Sequence, residues 1–189
     1  SLYGVNTHTL EREVLDFFAD LYHIRRKNYW GYVTHGGTEG NMYGLYLARE
    51  TCVDGIVYFS EDTHYSVPKI VRMLGMRHII ICSQENGEMN YDDLRTAIRI
   101  NRDRPVIVLA NIGTTMKGGV DSLEKIERVL HENAIRRSYI HCDAALGGMI
   151  LPFVPQAPPF DFRTSVDSIA VSGHKFIGMP FPSGVVIAK

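Results

Sequence analysis

The sequence predicts one α/β domain with a mostly parallel sheet and helices on its faces. Short apolar runs rich in β-branched residues alternate along the chain with longer stretches of helical periodicity. Strands that are joined through helices lie parallel, because the crossover returns the chain to the same edge of the sheet. The 189 residues, 45% hydrophobic and 22% charged, suit a single domain with a substantial core. No internal repeat or low-complexity segment interrupts the pattern.

The first predicted element is an amphipathic helix. Its apolar residues recur at helical spacing, so we expect this face to be docked against another surface. The stripe consists of Leu10, Val14, Phe17, Phe18 and Leu21. Glu11 and Glu13 are well placed for the positive end of the helix dipole.

The next elements continue the alternation of strand and helix. In order, we predict a strand from Trp30 to Thr34, a helix from the following glycine-rich turn to about Glu50, a strand within Val53 to Ser60, a helix from Tyr65 to Leu74, and a buried strand from Arg77 to Cys82. Pro68 is expected to interrupt the second of these helices early, because proline lacks the N–H that the helix uses.

The second half of the chain carries capping patterns. Asn90, with Asp93 three residues later, predicts the cap of a helix that runs to about Asn101. Asp121 and Glu124 form a similar pattern at the start of the next helix. Strands are expected at Pro105 to Ile112, Tyr139 to Cys142, Asp167 to Val171 and Gly184 to Ala188, and four prolines make 152–159 a loop.

Composition and charge exclude several classes of protein. A net charge of −1 and a pI near 6.7 argue against a nucleic-acid or membrane-surface partner. The longest apolar stretch is too short to span a bilayer. Three widely spaced cysteines without a CxxC pair favour the reduced cytoplasm and predict no metal site. Because the chain begins at Ser1 and stops just after a strand-like run, we expect an internal fragment of a longer protein.

Four polar clusters follow predicted strands, at the edge where open parallel sheets bind ligands. The first cluster runs from Thr34 to Asn41 and is rich in glycine. Gly37 lets backbone N–H groups approach an anion, and Thr38 adds a hydroxyl at the positive end of the next helix. A plain strand-to-helix turn would explain the same residues. The cluster lacks the Walker and dinucleotide-binding glycine patterns, which disfavours a nucleotide site.

The second cluster ends a predicted strand with Asp143. A carboxylate here could cap a helix, ligate a metal, or face a pyridinium nitrogen and keep it protonated. Position alone favours the cap. Ala145, two residues later, is small enough for a flat ring to lie close to the backbone.

The third and fourth clusters contain a lysine and a histidine. Lys175 follows a strand, where lysines are usually solvated, but it lies in the loop Ser172-Gly173-His174-Lys175-Phe176. A desolvated amine in such a loop forms Schiff bases readily. His64, in the fourth cluster, could stack on a planar cofactor, and an exposed loop histidine is the alternative.

The order of these clusters resembles that of fold-type I pyridoxal-phosphate enzymes, specifically the group II amino-acid decarboxylases. An anion-binding turn comes first, then a strand-end aspartate, then a lysine 32 residues after it. The resemblance covers about Tyr3 to Lys189 and is closest to the bacterial pyridoxal-dependent histidine decarboxylases. The matching stretches are 30–34, 36–41, 62–67, 111–115 and 148–154.

The resemblance implies that pyridoxal 5'-phosphate is the cofactor. The implied cofactor-binding residues are Gly37, Thr38, His64, Asp143, Ala145, Ser172, His174 and Lys175. Lys175 would attach the cofactor and Asp143 would pair with its pyridine nitrogen, while His64 would stack on the ring and touch the substrate. These three are the implied catalytic residues. Thr114 and Thr115 are expected near the ring, without an assigned contact.

The resemblance also implies an activity and an assembly. It points to decarboxylation of an L-amino acid, histidine to histamine first, by a homodimer with residues of both subunits in each site. The alternatives are another substrate (serine, glutamate, valine or an aromatic amino acid), another pyridoxal-phosphate reaction such as aminotransfer or desulfuration, and a catalytically incomplete cofactor-binding fragment. On this resemblance, residues 1–189 form the large domain, and the family's N-terminal segment, small C-terminal domain and mobile catalytic loop lie outside them.

Overall fold

A seven-stranded sheet forms the centre of the computed structural model, which describes residue 4 and residues 6–189. Residues 1–3 and 5, where the predicted domain and the resemblance begin, lie outside the described residues. The strands are β1 (Trp30–Thr34), β2 (Ile56–Ser60), β3 (Arg77–Ile81), β4 (Val106–Asn111), β5 (Ser138–Asp143), β6 (Ser168–Ser172) and β7 (Gly184–Ala188). The helices are α1 (His8–Leu21), α2 (Gly37–Thr51), α3 (Ser66–Met73), α4 (Tyr91–Ile100) and α5 (Leu123–Glu132).

The strand order is β1-β7-β6-β5-β4-β2-β3. The four pairings from β6 through β5, β4 and β2 to β3 are parallel, and β7 is antiparallel to both of its neighbours. This topology confirms the predicted mostly parallel α/β architecture. It also places the carboxyl ends of β1, β2, β5 and β6 at one edge, where the four polar clusters begin.

Helices cover both faces of the sheet, so its central strands are buried on both sides. Successive side chains of a strand alternate between faces. In β2, Tyr58 packs into the core beneath α1, α4 and α5, whereas Val57 and Phe59 pack into the core beneath α2 and α3. Burial on both faces explains why these strands appear in the sequence as continuous apolar runs.

Two predicted elements differ from the structure in their surroundings. The strand β3 was expected to be buried, but it lies at the sheet edge and pairs only with β2, so Ile80 is 51% exposed. Pro68 does not interrupt α3, because it lies in the first turn, where its missing N–H has no helical partner. Pro152 likewise lies in a short 3₁₀ turn, Leu151–Phe153, inside the expected loop.

The capping predictions had different outcomes. The side chain of Asn90 caps α4 as expected, accepting hydrogen bonds from the N–H groups of Asp92 and Asp93. The cap of α5 is Ser122 rather than Asp121. Asp121 is buried instead, and its carboxylate accepts hydrogen bonds from the backbone N–H groups of Met89 and Asn111.

The apolar stripe of α1 is only partly covered by the described residues. Phe18 packs into the core, but the side chains of Leu10, Val14 and Phe17 are 61%, 40% and 51% exposed. None of the described helices combines the length and the hydropathy needed to cross a membrane.

Candidate active site

The N-terminus of α2 lies against the ends of β5 and β6. A Cβ on Gly37 would be 2.7 Å from Ser172 Oγ and 3.0 Å from Ala145 Cβ, so glycine permits this close approach. The Gly37 N–H donates a hydrogen bond to Ser172 Oγ at 3.2 Å. The N-cap residue is Gly36, which has no side chain to bind the other N–H groups of the first turn. These N–H groups and the helix dipole therefore form an anion-binding site, with the exposed Thr38 beside it.

The carboxylate of Asp143 is held at both oxygens at the end of β5. Oδ1 accepts a hydrogen bond from the Ala145 N–H at 3.1 Å, and Oδ2 accepts one from Asn41 Nδ2 at 2.7 Å. The residue is only 7% exposed. A donor on each oxygen holds this carboxyl group in one orientation at the cavity.

The imidazole of His64 faces the same cavity from the segment between β2 and α3. Its Nδ1 accepts a hydrogen bond from the Ser66 N–H at 3.3 Å and lies 2.8 Å from Ser66 Oγ. Because Nδ1 is an acceptor, the proton of the neutral ring is on Nε2. Burial lowers the pKa of His64, the charge of Asp143 opposes this, and Lys175 lowers it further. The lowered pKa favours the neutral form of the ring.

The loop after β6 brings His174 and Lys175 to the cavity. His174 Nδ1 lies 3.1 Å from the carbonyl oxygen of Ser183, which fixes the ring against the start of β7. Lys175 lines the cavity but is exposed, so the structure does not show the desolvated amine that was expected in this loop. Ser183 Oγ is buried and has no hydrogen-bond partner among the described residues, although it adjoins Gly173.

All eight predicted cofactor-binding residues line one cavity of about 230 Å³. They are Gly37, Thr38, His64, Asp143, Ala145, Ser172, His174 and Lys175. Thr114 and Thr115 are not among its lining residues. The hydroxyl of Thr114 is buried and accepts a hydrogen bond from the Gly119 N–H, so its position is explained by a tight turn.

Two polar residues beneath Asp143 belong to the site but were not predicted from the sequence. Asn41 joins Asp143 to the buried imidazole of His141, since its Oδ1 lies 2.9 Å from His141 Nε2. The periodicity of the helix and that of the strand could have indicated these two residues. Asn41 is one helical turn after Gly37, and His141 is two residues before Asp143, hence on the same face of β5.

Comparison with protein families gives a match over residues 6–189. The matching family is described as the pyridoxal-dependent decarboxylase conserved domain. The match covers nearly the whole chain and includes every residue that lines the cavity. It confirms the resemblance predicted from the motifs.

Individual relatives agree with this match. The chain is 51% identical to a histidine decarboxylase of Morganella morganii over 99% of its own length, and 54% identical to one of Mesorhizobium japonicum over 98%. It spans 50% of the length of each of these curated relatives. Among solved structures, an L-methionine decarboxylase of Streptomyces sp. 590 superposes with a TM-score of 0.88 at 27% identity, covering 99% of this chain and 57% of that one. This similarity confirms the expected fold-type I architecture.

Proposed function

The chain belongs to the pyridoxal-dependent decarboxylase family, and from this premise we propose that the protein is a pyridoxal-phosphate-dependent carboxy-lyase that converts L-histidine to histamine and CO₂. The observation that carries the proposal is the convergence of an amine, a buried carboxylate and a helix N-terminus on one cavity. These are Lys175, Asp143 and the first turn of α2.

The residues present fit pyridoxal phosphate on chemical grounds. The first-turn N–H groups of α2 after Gly37 are donors for a phosphate, and the buried hydroxyl of Ser183 is a further donor nearby. Asp143 can accept only, as a protonated pyridine nitrogen requires. The side chain of Ala145 is small, so a flat ring can lie close to the backbone there. Gly37, Thr38, Ser172 and His174 would hold the phosphate, while Lys175 would bind the cofactor covalently through its amine.

Bound pyridoxal phosphate supplies an electron sink for the pair of electrons left on the α-carbon when CO₂ departs. The chain's own residues provide orientation and charge. Asp143 holds a proton at the pyridine nitrogen, and its two hydrogen bonds keep the carboxylate from rotating. The Nε2–H of His64 is a donor for the substrate, and the flat imidazole is a stacking surface.

Histidine is proposed as the substrate because of the two histidine decarboxylases that are 51% and 54% identical to the chain. The chain spans about half the length of these relatives, so residues of the substrate pocket can lie beyond it. Lys175 and Asp143 would have the same roles if the substrate were serine, glutamate, valine or an aromatic amino acid. The alternative substrates therefore differ only in the side-chain pocket.

The proposal includes a cytoplasmic homodimer in which residues 1–189 form the cofactor-binding large domain. Support for a dimer comes from apolar side chains that the described residues leave exposed. They lie on α1 and on two loops: Leu10, Val14, Phe17, Phe153, Phe176 and Phe181. Burial of a side chain of this size stabilises an assembly by about 1.5–3 kcal/mol. Sedimentation of the purified protein tests the dimer, and a monomer at micromolar concentration contradicts it.

The activity is tested by a substrate panel. Purified protein is incubated with pyridoxal phosphate and each of histidine, serine, glutamate, valine, methionine and tyrosine, and the amine released is identified by chromatography. Histamine released well above every other amine is the expected result. A preference for another amino acid contradicts the substrate, and a keto-acid product instead of an amine contradicts the decarboxylase activity. Lys175→Ala is the inactive control.

A further inference from the structure

Below the cofactor cavity, a chain of buried polar side chains runs from β6 to Asp143. We propose that Asn41 and His141 are positioning residues that hold the carboxylate of Asp143 in one orientation through a one-directional chain of hydrogen bonds starting at Ser168. This inference rests on the proposed function, because it assigns Asp143 to the pyridine nitrogen.

The direction of the chain follows from the acceptor at its end. The carboxylate of Asp143 accepts only, so the amide nitrogen of Asn41 must face it, at 2.7 Å. The amide oxygen of Asn41 then faces His141 Nε2 at 2.9 Å, so that nitrogen carries a proton.

The other ring nitrogen of a neutral imidazole is an acceptor, so Nδ1 of His141 accepts a hydrogen bond from the hydroxyl of Ser168 at 2.7 Å. Every hydrogen bond in the chain therefore donates towards Asp143.

The surroundings keep the imidazole of His141 neutral. Its side chain is fully buried, and this burial lowers its pKa to about 3. A charged ring would present a donor at Nδ1 as well, and the bond from Ser168 would be reversed. Neutrality at working pH thus preserves the direction of all three bonds.

Two glycines of α2 create the space for this chain. A Cβ on Gly44 would lie 2.3 Å from both Cε1 and Nδ1 of His141, and one on Gly40 would lie 2.8 Å from Ala170 Cβ. The helix therefore rests directly on β5 and β6, with the imidazole beneath Gly44. Asn41, between the two glycines, is held in reach of both His141 and Asp143.

The consequence for Asp143 is a carboxylate with a donor on each oxygen. The N–H of Ala145 binds Oδ1 and Asn41 binds Oδ2, so rotation about the last side-chain bond breaks a hydrogen bond in either direction. The titratable groups facing this carboxylate on the cavity side are His64 and Lys175. Loss of the Asn41 bond would free the carboxylate to rotate away from the pyridine nitrogen, so its charge would stabilise the protonated nitrogen less.

The test is the protonation of the pyridine nitrogen in Asn41→Leu and His141→Leu. The purified proteins are loaded with pyridoxal phosphate labelled with nitrogen-15 in the ring, and the nitrogen chemical shift is followed against pH. In Asn41→Leu, the pH at which the nitrogen loses its proton should fall by about one unit or more, the size expected for a hydrogen bond to a charged group. The dissociation constant of the cofactor should rise about tenfold. In His141→Leu, both changes should have the same sign and be smaller.

Two variants separate positioning from general stability. His141→Gln places a side-chain nitrogen where Nε2 was, and this nitrogen can still donate to Asn41. Compared with His141→Leu, it should bring the pH at which the pyridine nitrogen loses its proton most of the way back to that of the unsubstituted protein. Leu45→Ala removes buried volume from the same helix without touching a polar group, so it should lower the melting temperature and leave the midpoint unchanged. If the leucine variants do not fold, Ser168→Ala takes their place in the test. Its pH midpoint for nitrogen deprotonation should shift in the same direction as expected for Asn41→Leu, by a smaller amount.

The outcomes distinguish this inference from the function it rests on. If the unsubstituted protein binds no pyridoxal phosphate, the proposed function fails and the inference falls with it. If the protein binds the cofactor and Asn41→Leu keeps the unsubstituted midpoint, the inference alone is overturned. A midpoint shift of equal size in Leu45→Ala also overturns it, because the effect would then come from loosened packing.

Discussion

The backbone N–H of Gly37 donates a hydrogen bond to the hydroxyl of Ser172 at 3.2 Å. This contact joins the start of α2 to the end of β6, two elements that are far apart in the sequence. It brings the anion-binding end of the helix to the loop that carries His174 and Lys175. The close approach depends on the missing side chain of Gly37, since a Cβ there would be 2.7 Å from Ser172 Oγ.

Gly37→Ala is therefore expected to weaken cofactor binding. The added methyl group must displace the hydroxyl of Ser172 or push α2 away from β6, and either change disturbs groups that would hold the phosphate. We expect the dissociation constant for pyridoxal phosphate to rise about tenfold or more, measured by absorbance titration, since losing one such bond to a charged group costs at least this much. Gly75→Ala is the control, because the added methyl group meets no neighbour but strains the backbone at a positive φ of 65°, beyond the end of α3 that is away from the cavity, so it should cost stability and leave the affinity unchanged. An unchanged affinity in Gly37→Ala contradicts this role.

Asp143→Ala should reduce turnover by roughly a hundredfold or more. Charge-stabilising groups of this kind contribute several kcal/mol in the transition state, and each 1.4 kcal/mol is about a factor of ten. Steady-state rates of amine release measure the effect. Asp143→Asn, similar in shape, separates charge from packing. Asp103→Ala, which removes an exposed carboxylate at the opposite edge of the sheet, should leave the rate unchanged. Near-normal turnover in Asp143→Ala would mean that the residue acts only as a turn cap.

His64→Phe retains a flat surface and removes the Nε2–H donor. Cofactor affinity should stay within about threefold, while turnover should fall by about a hundredfold or more, the lower end of the range for a positioned proton donor. Parallel titration and rate measurements check both. If affinity and rate are both unchanged, His64 is an ordinary loop histidine that takes no part in the reaction.

Burial of His141 predicts a loss of stability in acid. Its pKa falls from 6.5 to about 3 on folding, so its contribution is present above pH 6.5 and is lost as the pH falls towards 3. At about pH 5 the loss is about 2 kcal/mol, since one pKa unit corresponds to about 1.4 kcal/mol. Urea unfolding at about pH 7.5 and pH 5 measures it. The His141→Gln variant removes this group, so its free energy of unfolding should fall less between the two pH values. Equal falls in the two proteins would show that His141 is not the group responsible.

The fold and the cavity residues were largely predictable from local signals. The strand bounds of β1 and β7 follow from apolar runs between turn residues, and the cap at Asn90 follows from its spacing to Asp93. The clusters at strand ends converge because parallel strands share an edge. Such signals do not depend on how distant segments pack.

The rest depended on tertiary contacts that local patterns do not contain. An edge strand and a central strand share the same β-branched composition, so the exposure of β3 required the strand order. Asp121 has the spacing of a helix cap, but its carboxylate is buried against the N–H groups of Met89 and Asn111. The Asn41–His141 contact joins residues 100 positions apart, and it forms only because Gly44 lets the helix approach β5.

The most direct test of the central claim is reductive trapping of the cofactor. Protein loaded with pyridoxal phosphate is reduced with borohydride, digested and mapped by mass spectrometry. The label is expected on Lys175, and Lys175→Ala should show neither the label nor the visible absorbance of the bound cofactor. Label on Lys69, Lys117 or any other lysine, or an unchanged absorbance in Lys175→Ala, would contradict the account.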